Sequence, residues 1–256
     1  MDFLIVKDLF SFVYGFFKWG SIAKKVKYWV IYYFQSPINI IVFGESGTGK
    51  SQLVSCITGK PVDKERTRAT QKNTFTLPNG RRVIIRDTPG HNTYKRLRFE
   101  ECQKFVIKKK VKGIINVVSY GYHEAGAADE VKIFKTGTSD VKEEFLRENR
   151  NREISQIDDW INYVNKDCIQ WIITIINKAD IWYKDSPIVN DFYGNGEYFE
   201  KLKDLSRCCS LHTFEYCSTI APFYDKPMTI IIGEQEKEKM HKELIHGILQ
   251  LINNKK

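Results

Sequence analysis

Apolar and polar positions change their period several times along this chain, and each change marks an expected element. Residues 1–34 are crowded with Phe, Tyr, Trp, Ile and Val. Their polar interruptions at Lys7, Ser11, Lys18, Ser21 and Lys25 recur at steps of three, four and seven. That spacing traces one narrow polar stripe on a helix with a very wide apolar face. Residues 38–43 form a short apolar run, read as a buried strand, and residues 52–57 open a helix. Residues 61–72 are polar and aperiodic, a long loop. Residues 74–77 and 82–86 flank Pro78-Asn79-Gly80, a hairpin with an Asn-Gly turn.

Residues 94–112 read as a basic helical stretch, and 113–118 as another buried strand. A polar segment follows, expected as an elaborated loop at about 120–152. Ile154, Ile157, Ile161 and Val164 repeat at helical spacing, and 169–176 is a predominantly apolar run, as expected of a central parallel strand. A short strand ending at 215–218 and an amphipathic helix over 234–252 complete the pattern. Strands alternating with helices predict an α/β fold, a mainly parallel central sheet with helices on both faces. Ser36-Pro37 reads as the hinge between an N-terminal helical segment, 1–35, and one domain, 36–256.

Length and composition support that division. The chain has 256 residues, 42% of them hydrophobic and 28% charged, enough for a sizeable core in a soluble body. Formal net charge is +9, with a pI near 9.1. This balance favours anionic partners, but no nucleic-acid-binding signature accompanies it, so no specific nucleic acid is expected. The six cysteines, at 56, 102, 168, 208, 209 and 217, form no C-x-x-C pair and read as reduced thiols of a cytoplasmic protein. Asp2 stands where a secretory leader carries positive charge. Lysines interrupt every window of 1–34 long enough to span a bilayer. Two readings of that segment stand side by side: a peripheral helix for an anionic membrane surface, or a helix packed on this domain or a partner protein.

The chemistry concentrates after the first strand. Gly44-Glu45-Ser46-Gly47-Thr48-Gly49-Lys50-Ser51 is a P-loop pattern in strand–loop–helix context. Glycines let a phosphate chain approach the backbone, and N–H groups then converge on the anion at a helix N-terminus. Lys50 supplies a point charge for the β- and γ-phosphates, and the Ser51 hydroxyl is a Mg²⁺ ligand. Glu45, Ser46, Gly47, Thr48, Gly49 and Gln52 complete the phosphate-binding set. Asp87-Thr88-Pro89-Gly90 ends the hairpin strand, Asn177-Lys178-Ala179-Asp180 ends the apolar run, and Cys217-Ser218 follows the last strand. A carboxylate such as Asp180 can accept from guanine N1–H and its 2-amino group together, which adenine cannot offer.

These four motifs, in this order, resemble the P-loop GTPases of the translation-factor-related class, whose members include Era-like, septin and immunity-related G domains. The resemblance covers residues 38–252 and implies the three-layer P-loop NTPase fold, bound GTP or GDP, Mg²⁺, and hydrolysis to GDP and phosphate with a conformational switch. It implies that Asp87 holds Mg²⁺ through water and that Gly90 N–H meets the γ-phosphate. It implies that Asn177 braces the loop, that the Lys178 stem lies along the base, and that Cys217 and Ser218 stand where relatives have Ser-Ala, meeting the guanine carbonyl. Thr70 is expected as the switch threonine on Mg²⁺, with Thr67 the alternative. His91 is expected to orient the attacking water, as the Pro-Gly-His of translation-factor GTPases suggests; its plainer reading is a solvent-facing loop histidine. Arg66 and Arg68 are candidate fingers in cis, or solvated side chains. The alternative functions are a septin- or dynamin-like assembly protein with little turnover, pairing as a homodimer through the nucleotide face, and a nucleotide-binding module that has lost hydrolysis.

Overall fold

A computed structural model describes residues 26–27, 30, 36–59, 70–77, 80–90, 100, 103, 111–123, 130–161, 168–217, 223–224 and 232–253. Most of the basic stretch over 94–112 and nearly all of 1–34 lie outside the described residues. The chain divides into two compact units, residues 1–38 with 74–84, and residues 39–73 with 85–256. The elements are β1 (Ile38–Gly44), α1 (Lys50–Thr58), β2 (Gln71–Thr76), β3 (Arg82–Asp87), β4 (Gly113–Val118), α2 (Glu130–Ile133), α3 (Glu143–Ile161), β5 (Trp171–Ile176), α4 (Ala179–Trp182), α5 (Ser186–Gly194), α6 (Glu197–Lys203), β6 (Ser210–Glu215) and α7 (Glu234–Asn253). The sheet has six strands in the order β2-β3-β1-β4-β5-β6. Pairings β1–β4, β4–β5 and β5–β6 are parallel. The architecture is the α/β P-loop NTPase fold expected from the sequence.

The hairpin turn between β2 and β3 is closed by two backbone bonds. Gly80 N–H donates to Leu77 O at 2.8 Å, and Leu77 N–H to Arg81 O at 2.9 Å. β2 buries none of its residues fully, whereas β3 alternates and buries Val83, Ile85 and Asp87. That is the contrast between an edge strand and a half-buried one.

In the larger unit β4 and β5 are buried along their whole length, so both faces are covered. Register then decides where loops emerge. Gly44 pairs with Val117, Val118 with Ile176, and Ile176 with Glu215. The carboxyl ends of four strands therefore finish level, and the loops after β1, β5 and β6 leave from one edge. Phe43 stacks on Trp160 at 5.3 Å between centroids, and Trp182, Tyr193 and Tyr198 fill the same core. Gly113 opens β4 because the Trp171 indole occupies the place of its side chain. A Cβ there would lie 2.1 Å from ring carbons. Gly113→Ala is expected to destabilise the domain by about 1–3 kcal/mol through overpacking. Urea unfolding would show a lower midpoint with an unchanged slope.

Two expectations need correction. The elaborated loop does not extend over 120–152, because residues 143–161 form one helix, α3. Its inward positions include Leu146, Asn149, Arg150, Glu153, Ile154 and Ile157, at steps of three and four, but three of these six are polar. The helical period was present without the apolar composition that reveals it. The polar loop over 61–72 also ends early, since β2 begins at Gln71.

The buried polar positions of α3 organise the end of β4. Glu153 accepts from Ser119 N–H at 2.9 Å, Gly121 N–H at 3.3 Å and the Tyr193 hydroxyl, and His123 Nδ1 lies 3.2 Å away. Tyr193 in turn accepts from Tyr120 N–H at 2.9 Å. Asn149 donates to the carbonyls of Gly121 and His123. A buried carboxylate thus gathers the backbone of 119–123 as a cap would.

Candidate nucleotide-binding site

The loop after β1 curls around one carbonyl. Glu45 O accepts from Thr48 N–H at 3.4 Å, Thr48 Oγ1 at 2.9 Å and Lys50 Nζ at 2.8 Å. Thr48 is fully buried and Lys50 is 6% exposed, so the ammonium is aimed within the loop. Gly44 passes tightly over β4, where an added Cβ would lie 2.3 Å from Val117 O. Glu45, Ser46, Gly47, Thr48 and Gly49 therefore form a curl closed by α1, which begins at Lys50 and carries Ser51 and Gln52 in its first turn.

The end of β3 joins this loop directly. Ser51 Oγ donates to Asp87 Oδ2 at 2.7 Å. Thr88 fastens the strand end to β1, its N–H and hydroxyl both donating to Val42 O. Asp87 is 1% exposed, and its second oxygen, Oδ1, has no hydrogen-bond partner among the described residues. Burial pushes the Asp87 carboxyl above its ordinary value, while Lys50 and the Ser51 hydroxyl pull it back. Gly90 is pressed onto the same place. A Cβ there would fall 2.4 Å from Lys50 Nζ and 2.7 Å from Ser46 N. Only a residue without a side chain lets this backbone approach the loop so closely.

The loop after β5 is pinned on three sides. Asn177 Nδ2 donates to Thr48 O at 2.8 Å, its N–H donates to Val118 O at 2.8 Å, and Ala179 N–H donates to Tyr216 O at 3.1 Å. Trp182 Nε1–H adds a fourth tie to Asn177 O at 2.7 Å. Lys178 sits in the left-handed region, φ +62°. Cys217 Sγ–H donates to Asp180 Oδ1 at 3.4 Å. Burial, followed by the neighbouring Asp180, pushes the Cys217 thiol up to about 12. Burial likewise raises Asp180, against the Cys217 hydrogen bond.

Lys50, Asp87 and Asp180 are therefore linked through a short chain of contacts, Asp87–Ser51, Thr48–Asn177 and the loop to Asp180. Thr70 directly precedes β2, and its buried hydroxyl has no hydrogen-bond partner among the described residues. Thr67, His91, Ser218, Arg66 and Arg68 lie outside the described residues. Among the described residues no cluster of three or more His, Cys, Asp or Glu could hold a metal by itself. Sequence reasoning missed Trp182, Glu153 and Phe223, which support this edge from behind. Trp182 had a signal of sorts, two residues beyond Asp180 at the first turn of a helix.

A glycine-backed loop at a helix start, an acid at the adjacent strand end and an Asn-Lys-x-Asp turn at the same sheet edge define a P-loop GTPase of the translation-factor-related class. A family model described as 50S ribosome-binding GTPase matches residues 39–178, and the chain belongs to that family of GTP-binding G domains. No curated protein matches the sequence. Among solved structures, a bacterial selenocysteine-specific elongation factor, EF-Sec, is similar with a TM-score of 0.50 and 13% identity. The alignment covers 87% of this chain and 30% of that one, so this chain spans less than a third of the factor's length. The signal recognition particle receptor SRb, solved with GTP and SRX from Chaetomium thermophilum, aligns with a TM-score of 0.49 and 12% identity, covering 82% of this chain and 98% of that one. At these identities the likeness is one of fold. No helix among the described residues is long and apolar enough to cross a membrane.

Proposed function

We propose that this protein hydrolyses GTP to GDP and phosphate with Mg²⁺, and changes conformation with the nucleotide. The observation that carries the reading is the Asp87 carboxylate: one oxygen bonded to Ser51, the other buried with no hydrogen-bond partner among the described residues, beside Lys50 and Gly90. A buried acceptor of this kind suits a hydrated cation, which would also relieve the burial that raises Asp87. Ser51 and Asp87 would hold Mg²⁺, with Thr70 as a third contributor. When bound, Mg²⁺ neutralises charge on the β- and γ-phosphate oxygens.

The remaining work falls to this chain's own groups. Amides of 45–51 and Lys50 Nζ hold the phosphates in place. Gly90 N–H binds a γ-phosphate oxygen and is released when that phosphate leaves, which couples the segment after β3 to hydrolysis. His91, the next residue, orients the water that attacks the γ-phosphorus as the bond to the β-phosphate oxygen breaks. Asp180 accepts from guanine N1–H and the 2-amino group, Asn177 braces the turn, and Cys217 and Ser218 flank the carbonyl side. Positioning and charge stabilisation supply the catalysis.

A nucleotide panel tests the reading. GTP and GDP are expected to bind far more tightly than ATP. Asp180→Asn exchanges an acceptor for a donor, so it should lose GDP affinity by about tenfold or more and gain affinity for xanthosine diphosphate, whose 2-oxo group accepts. Titration calorimetry reads both. Equal affinity for guanine and adenine nucleotides would overturn the assignment of Asp180.

A further inference from the structure

The segment between β4 and α3 builds a second, smaller core beside the Asn-Lys-x-Asp turn. Ile133 and Phe134 of the insertion and Phe223, from the chain after β6, are all buried in it. Tyr122, Val141, Phe145, Ile181 and Tyr224 pack around them. The insertion is closed on itself, with Phe134 and Val141 forming an antiparallel bridge and Lys142 N–H donating to Ile133 O at 2.7 Å. Tyr122 meets Phe223 edge-on at 5.8 Å, and Tyr224 meets it edge-on at 4.9 Å. This core meets the site where Ile181 packs against it and where Lys178 Nζ stands 5.3 Å from the centroid of the Phe223 ring.

That contact matters because of how Lys178 is held. Its backbone occupies the left-handed region, φ +62°, an uncommon conformation for a residue with a side chain. A lysine side chain of four methylenes has many rotamers, and freezing one of them on ligand binding is unfavourable. A ring beneath the ammonium fixes the far end of that stem in advance.

We propose that Phe223, seated by the 130–141 insertion, is a positioning residue for the guanine pocket, locking the Lys178 side chain flat for the face of the base. The assignment rests on the reading of Lys178 and Asp180 given above. It makes the insertion part of the nucleotide site, so that whatever grips the insertion also alters how long nucleotide stays bound.

The test is release of fluorescent N-methylanthraniloyl-GDP, chased with unlabelled GDP. Phe223→Leu keeps an apolar side chain in the small core but removes the ring. It is expected to speed release by about five- to tenfold. Phe223→Tyr keeps the ring and should stay within about twofold of the parent protein. Ile133→Val trims the same core away from Lys178 and should leave release unchanged. In a Lys178→Ala background Phe223→Leu should add nothing, since the two act as one unit. The loss should be equal for guanosine and inosine diphosphates, which share a ring face and differ at the 2-amino edge. Unchanged release in Phe223→Leu, an equal effect from Ile133→Val, or additive losses with Lys178→Ala would each overturn the proposal. A parent protein that does not retain GDP would overturn the guanine-site reading itself, whereas tight GDP binding with an indifferent Phe223→Leu overturns this proposal alone.

Discussion

Lys50→Ala is expected to weaken GDP and GTP binding by at least about a hundredfold, roughly 3 kcal/mol. The ammonium is almost entirely buried and bonded to Glu45 O at 2.8 Å, so it is already placed and largely stripped of water before any phosphate arrives. A phosphate oxygen meeting it gains a charge-assisted bond in a screened-off site, where such bonds are strongest. Removing the charge has a second effect. Lys50 is the positive neighbour that lowers the Asp87 carboxyl against its burial. Without it Asp87 repels the phosphates unopposed. Lys50→Arg should not rescue binding, because Gly90 leaves no room beside Nζ. Fluorescence titration in Mg²⁺ checks the expectation, and an affinity within about fivefold of the parent would refute it.

Glu153→Ala is expected to lower folding stability by about 3–5 kcal/mol. Much of a typical domain's margin of about 5–15 kcal/mol would go with it. The carboxylate is the shared acceptor for Ser119 N–H, Gly121 N–H and the Tyr193 hydroxyl, and His123 adjoins it. Truncation leaves these donors buried without a partner, which is worse than never having had the group. The same residue sets a pH dependence. Burial pushes the Glu153 carboxyl up, but the adjoining His123 and the hydrogen bonds from Tyr193 and Ser119 outweigh it and hold it below its ordinary value. A folded value below the unfolded one means stability present above the ordinary glutamate pKa, about 4.3, and lost as pH falls through the folded value. Asp87 acts with the opposite sign in nucleotide-free protein. Burial raises it, so its unfavourable charging disappears as pH falls. Acid unfolding of parent and Glu153→Gln, compared between about pH 6 and 3, separates the two, because the variant should lose the Glu153 slope and keep the Asp87 one.

Much of the fold was legible because its signals are local. Burial on both faces made β1, β4 and β5 predominantly apolar, each with one polar residue, and their ends placed the loops. α3 hid its first half because it turns Asn149, Arg150 and Glu153 inward, and hydropathy reads such residues as surface. α5 and α6 between β5 and β6 went unread, although Tyr193 and Tyr198 both enter the main core from them. Arg150 shows the same blind spot: it pairs with Glu143 two turns away on its own helix, but it also lies over the Tyr120 ring at 4.6 Å, a contact that only tertiary packing provides.

By itself the sequence determined the loop that curls on Glu45 O, the acid that ends β3 and the Asn-Lys-x-Asp turn, because each is a run of adjacent residues whose chemistry needs neighbours in the chain. Tertiary structure alone decided that Asn177 braces Thr48, that Gly90 presses on Lys50, that Glu153 gathers the end of β4 and that Phe223 lies under Lys178. Those pairs stand 32 to 129 residues apart or come from loops without a pattern, and what brings them together is strand register and core packing, which no local period records.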